Sequence, residues 1–141
     1  MSKILIVDDN QDIRNILVTL VAEEGHHPVV AAGGREAVAR IAVEPFDVIL
    51  SDRNMPDVDG LDVLIAASRM APETPVIMLT SDRTHEFIAD AKRYGAYACL
   101  GKPIGLADLM SVVNLALAGR QRRRRASREL GTPATGMPSP A

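Results

Sequence analysis

Cysteine is nearly missing from this chain: Cys99 is the single one in 141 residues. That excludes an internal disulfide and any cysteine-cluster zinc site. Tryptophan is absent, and aromatic residues amount to two Phe and two Tyr. Stacking platforms for bases are therefore scarce, which argues against sequence-specific nucleic-acid readout. Long apolar runs are absent too. The longest, such as Ile4–Val7, are a few residues each, far short of a bilayer span. Met1-Ser2-Lys3 leads straight into that run and then two aspartates, with no small-residue cleavage site. No secretory signal is expected, and the cytoplasm is the expected location. The three histidines, His26, His27 and His85, have no partner at metal-ligand spacing.

What is present suits a single domain. Hydrophobic residues make up 47% and charged residues 24%, a balance that buries a sizeable core. The net charge of −2 conceals an asymmetry. Residues 1–118 carry 10 Lys and Arg against 17 Asp and Glu, while residues 119–141 carry six Arg and one Glu. The two parts need separate explanations.

Four apolar runs, Ile4–Val7, Val48–Leu50, Val76–Leu79 and Tyr97–Leu100, read as strands, the first three buried on both faces. Val29-Val30 behind Pro28 reads as a fifth strand at a sheet edge. Helical stripes fill the gaps. Ile13, Ile16, Leu17, Leu20 and Val21 share one face before Gly25. Val38, Ile41 and Ala42 form a second stripe, and Leu61, Leu64, Ile65 and Ser68 a third. Phe87, Ile88 and Ala91 mark a fourth that stops at Gly95; Leu106, Leu109, Met110, Val113 and Leu117 mark a fifth that ends at Gly119. Five strand–helix alternations predict an α/β doubly wound parallel sheet with helices on both faces, in the flavodoxin-like order 2-1-3-4-5. That domain spans residues 1–118. Residues 119–141, Arg-rich and then rich in Pro, Ser, Gly and Ala, are expected to be a disordered tail.

The chemistry-bearing residues sit where strands end. Asp8 and Asp9 follow the first strand, Asp52 the third, Thr80 the fourth and Lys102 the fifth. In a parallel sheet these ends share one edge, where such folds bind ligands. Three neighbouring aspartates raise one another's pKa unless a cation neutralises them. An oxygen-only donor set suits Mg²⁺, which takes one or two carboxylates plus a phosphate oxygen. Lys102 adds a point charge for a phosphoryl group and Thr80 a hydroxyl donor. With no serine beside a base, an aspartate carboxylate is the candidate phosphoryl acceptor.

Four stretches carry a resemblance: Ile4-Leu5-Ile6-Val7-Asp8-Asp9-Asn10, Asp52 through Gly60, Met78-Leu79-Thr80-Ser81, and Gly95-Ala96 followed by Lys102-Pro103. Taken together and in this order, they resemble the receiver domain of response regulators, the aspartate-phosphorylated half of two-component signalling. The resemblance covers residues 3 to about 118. It implies that Asp52 accepts a phosphoryl group from a phosphohistidine on a sensor histidine kinase or histidine phosphotransferase. It implies that Asp9 and Asp52 ligate Mg²⁺, with Asp8 helping and the Asn54 backbone carbonyl as a further ligand. Thr80 then bonds the phosphoryl oxygen, Lys102 pairs with it, Lys102–Pro103 is cis, and Pro56 and Gly60 shape the loop after the acceptor. The implied protein is a phosphoacceptor rather than an enzyme acting on a separate substrate. Its implied output is a surface of the fourth helix, fifth strand and fifth helix docked onto a downstream protein, as a monomer or a phosphorylation-dependent dimer. Arg122–Arg125 are the candidate for a weak electrostatic partner.

A departure from the family pattern stands out. Cys99 occupies the place where most receivers carry Tyr or Phe, and Tyr97, two residues earlier, is the candidate stand-in. The resemblance implies that Asn54 and Asp82, two beyond Asp52 and Thr80, tune how fast water removes the phosphoryl group, and polar residues at both are expected to orient a water and shorten the phosphorylated lifetime. Three alternatives compete: a fragment of a longer regulator, a haloacid-dehalogenase-type phosphatase, and a flavin-binding module. The phosphatase needs an Asp-x-Asp pattern that Asp8-Asp9-Asn10 lacks, and Asp8-Asp9 would repel a flavin phosphate.

Overall fold

The computed structural model describes residues 2–81 and 85–129. Five strands, β1 (Lys3–Val7), β2 (His27–Ala31), β3 (Val48–Asp52), β4 (Val76–Thr80) and β5 (Ala98–Gly101), form one parallel sheet in the order β2-β1-β3-β4-β5. Five helices alternate with them: α1 (Gln11–Glu23), α2 (Gly34–Val43), α3 (Gly60–Met70), α4 (His85–Arg93) and α5 (Leu106–Glu129). This is the expected α/β doubly wound arrangement.

Strand alternation sends successive side chains to opposite faces, and each face builds its own core. Leu5, Val7, Ile49 and Met78 meet Ile41 of α2, Leu64 of α3 and Phe87 of α4. Ile4, Ile6, Leu50 and Ile77 meet Leu17 and Val21 of α1 and Leu109 and Val113 of α5. Central strands β3 and β4 are buried throughout. Edge strands β2 and β5 are only partly so, and Pro28 sits in β2 as its composition asks.

Local chemistry starts the helices. Asn10 caps α1, its side chain accepting from the Ile13 amide at 3.1 Å. Asp59 caps α3 through the Leu61 amide at 3.0 Å. Gly33 offers α2 no side-chain cap. Asp57 does that work from the β3–α3 loop, accepting from the Gly34 and Arg35 amides at 3.2 and 3.1 Å. Both groups are orphan helix-start donors.

Several expectations need correction. The fifth helix does not end at Gly119: α5 runs to Glu129, so residues 119–129 are helical rather than disordered. Glycine costs a helix interior about 1 kcal/mol against alanine, but arginine and alanine are good formers. Arg120 also ties the extension down, its Nη1 donating to the Phe46 carbonyl and to Asp47 Oδ1, each at 3.1 Å. The rest of the tail expected over 119–141, residues 130–141, lies outside the described residues. On α1, Ile13 and Ile16 are exposed and only Leu17 and Val21 are fully buried. On α3 the buried positions are Gly60, Val63, Leu64 and Ala67, while Ser68 is exposed. Among the described residues no helix is long and apolar enough to cross a membrane.

Candidate functional site

The sheet order brings the ends of β1, β3, β4 and β5 to one edge. Asp52 is the last residue of β3 and is 4% exposed. Asp8, directly after β1, is 2% exposed, and Asp9 beside it is exposed. One carboxylate oxygen from each of Asp8, Asp9 and Asp52 lies within 4.8 Å of the other two. Lys102 Nζ donates to Asp52 Oδ1 at 2.6 Å. Thr80, buried at the end of β4, accepts at its carbonyl from the Lys102 amide at 2.8 Å. The structure therefore brings together Asp8, Asp9, Asp52 and Lys102 and sets Thr80 on the adjoining strand end. Asn54 is exposed in the loop after β3.

The main chain around these groups is firmly placed. The Asp8 amide donates to the Ala31 carbonyl at 3.2 Å, and Arg14 Nη1 donates to the Asp8 carbonyl at 2.8 Å. The Asn10 amide donates to Asp8 Oδ1 at 2.9 Å. After Asp52, the Arg53 amide donates to the Leu79 carbonyl at 2.9 Å and the Gly60 amide to the Arg53 carbonyl at 2.8 Å. A Cβ at Gly60 would collide with the Asp52 carbonyl and stand 2.7 Å from Arg53 Cα. Glycine is what lets α3 start against the end of β3. The Lys102–Pro103 peptide is cis, as expected.

Burial pushes the Asp8 carboxyl above the usual carboxylate range; the Asn10 amide opposes this, and the nearby Asp52 charge adds to it. Asp8 Oδ2 is buried without a hydrogen-bond partner among the described residues. A buried carboxylate oxygen lacking a donor is costly unless a cation takes it. This orphaned oxygen, two further carboxylates and an all-oxygen donor set fit a hard divalent cation of the Mg²⁺ kind.

Several features had no sequence signal. Arg14 folds back onto Asp8 from α1, and Arg53 lays its guanidinium over Phe87, its Cζ 4.1 Å from the ring centroid. Ile13, Ile16 and Leu106 flank a recess of about 510 Å³ that reaches Lys102 and Pro103. These contacts are made by long side chains crossing between elements, which periodicity does not report. Tyr97 directly precedes β5 and is 45% exposed. Cys99 is half-buried and packs against the core that holds Phe87. Asp82 lies outside the described residues.

A family model described as the response regulator receiver domain matches residues 4–114. The sensory/regulatory protein RpfC of Xanthomonas campestris pv. campestris is 34% identical over 139 residues, covering 94% of this chain and 18% of that protein. Response regulator protein PilR of Pseudomonas aeruginosa is 36% identical over 115 residues, covering 82% of this chain and 26% of PilR. The chain thus spans about a fifth to a quarter of these curated relatives. Among solved structures, a CheY-like receiver domain protein from Methanospirillum hungatei JF-1 superposes with a TM-score of 0.85 at 29% identity, covering 87% of this chain and 98% of that one. Chemotaxis protein CheY4 of Vibrio cholerae gives 0.78 at 34% identity, covering 83% and 99%.

Proposed function

Because the chain belongs to the response regulator receiver domain family, we propose that Asp52 is its phosphoacceptor, charged from a phosphohistidine on a sensor histidine kinase or histidine phosphotransferase. The observation that carries this is the buried Asp52 carboxylate held at 2.6 Å by Lys102, with Asp8 and Asp9 beside it.

In the transfer, an Asp52 carboxylate oxygen attacks phosphorus in line with the phosphohistidine nitrogen. The O–P bond forms, the N–P bond breaks and its electron pair returns to the imidazole, which takes its proton from solvent. Such a transfer depends on positioning and charge neutralisation rather than on acid–base groups. Asp8, Asp9, Asp52 and the Asn54 carbonyl would hold Mg²⁺. Bound there, the ion supplies charge neutralisation for the carboxylates and the phosphoryl oxygens. Lys102 exchanges its bond to Asp52 for one to the transferred group, and the Thr80 hydroxyl donates to a phosphoryl oxygen. The second contact exists only in the phosphorylated state, which is what a switch requires.

The donor protein docks over the recess flanked by Ile13, Ile16 and Leu106, which opens beside Lys102. Output is through the α4–β5–α5 surface onto a downstream protein. A cytoplasmic location is part of the proposal, since a phosphohistidine donor is charged from ATP. Asn54 and Asp82 are assigned to orient the hydrolytic water. The phosphatase alternative is not favoured: Asn10, at the place of its second carboxylate, instead caps α1.

Intact mass after incubation with Mg²⁺ and acetyl phosphate tests this proposal. The expected result is one added phosphoryl group per chain, abolished by EDTA. Sustained turnover of acetyl phosphate or of a phosphate ester without a stoichiometric adduct would favour the phosphatase instead.

A further inference from the structure

Arg53 belongs to two parts of the molecule at once. Its main chain is the start of the loop after Asp52, fixed by bonds to the Leu79 carbonyl and the Gly60 amide. Its guanidinium lies over another element: the Phe87 ring of α4, 4.1 Å from Cζ to the centroid. Phe87 is 4% exposed, and with Ala91 it is one of the two fully buried side chains seen on α4. Its Nε also lies 4.0 Å from Asp59 Oδ1. Asp59 in turn caps α3.

The stacking energy of a cation on a ring depends on how squarely the charge sits over the face, and it grows when both are shielded from water. A guanidinium adds a planar stacking surface that an ammonium lacks. The Arg53 side chain is about three-quarters buried. A small change in the loop therefore alters a sheltered contact at one of the few anchors of α4. A coupling of this kind needs two states whose contacts differ.

We propose that Arg53 is a positioning residue that carries the state of Asp52 to α4 through its stacked contact with Phe87. The inference rests on Asp52 being the phosphoacceptor. When the loop adjusts to the phosphoryl group, the guanidinium shifts over the ring, and the packing of α4 against the sheet changes with it.

Hydrogen exchange by mass spectrometry, with and without acetyl phosphate and Mg²⁺, tests this on the full chain. Phosphoryl uptake is followed in parallel by intact mass. In the wild type, phosphorylation is expected to change exchange in α4 by roughly fivefold or more, the usual lower bound of a coupling. In Arg53→Gln and in Phe87→Leu, phosphoryl uptake is retained and the α4 change falls below about twofold. Arg53→Lys, which keeps the charge without the planar stack, recovers part of it. A merely structural role would change exchange in the unphosphorylated variants and leave the response intact. Uptake followed by the same α4 response in wild type and Arg53→Gln, or by no α4 response in the wild type, overturns the inference alone. A wild type that takes up no phosphoryl group overturns the phosphoacceptor assignment and this inference with it.

Discussion

Asp8 and Asp52 are both nearly buried, yet they differ in how they are held. Asp52 has the Lys102 ammonium at 2.6 Å, whereas Asp8 has a backbone amide on one oxygen and none of the described donors on the other. Burial accordingly pushes the Asp8 carboxyl upward. In the proposed function, this arrangement holds Asp52 ready as the nucleophile and leaves one carboxylate needing a cation. Removing Lys102 takes away the partner of Asp52 and, under the proposed function, a donor to the transferred group. Lys102→Ala is expected to slow phosphorylation by about two orders of magnitude, the usual cost of losing one preorganised charge-stabilising group. Adduct formation against time, at fixed Mg²⁺ and acetyl phosphate, checks this. An unchanged rate would remove Lys102 from the site.

Among elements, α2 and α5 show devices that join distant segments. Asp57 caps α2 from another loop, and bonds from the Val58 amide and then the Arg35 amide hold its carboxyl below the ordinary range, with burial opposing and the Gly34 amide adding. A carboxylate lowered in the folded state stabilises it above the unfolded pKa, and that contribution disappears as pH falls through the folded value. Asp57→Ala should therefore lower the melting temperature at neutral pH, and the gap to wild type should close as the pH drops below the ordinary carboxylate range. A gap that is constant across pH would contradict the cap. In α5, a Cβ at Gly119 would meet only the ends of the Arg123 and Arg122 side chains, at 3.6 and 3.9 Å. Gly119→Ala should raise stability by about 0.5–1 kcal/mol, the difference between the two residues inside a helix. Chemical denaturation reads it directly. A destabilised variant would show that residues 119–129 are not helical in solution.

Taken as a whole, the molecule separates its chemistry from its charge-paired base. The acidic cluster lies at the ends of the strands, while Lys3–Glu44 and Arg120–Asp47 pair at the opposite end. The order of the strands and the convergence of Asp8, Asp9, Asp52 and Lys102 were legible because both follow from periodicity and chain order. The helical run beyond Gly119 was not, since it has no apolar stripe and is anchored by the Arg120 contact with the β3 entry loop. Asp57 over α2 and Arg53 over Phe87 were hidden for the same reason: each depends on which loop the fold sets beside which helix. Exposure misled at Ile13 and Ile16, whose helical phase matches the core stripe but whose turn of α1 overhangs the site instead of the sheet. The central claim is that all of this architecture serves one carboxylate. An acyl phosphate is reduced by borohydride to a primary alcohol, so the acceptor aspartate becomes homoserine and is located by peptide mass. After Mg²⁺ and acetyl phosphate, reduction is predicted to convert Asp52 alone and to convert nothing in Asp52→Asn. Homoserine at Asp8, Asp9 or any other aspartate, or an adduct that persists in Asp52→Asn, would contradict it.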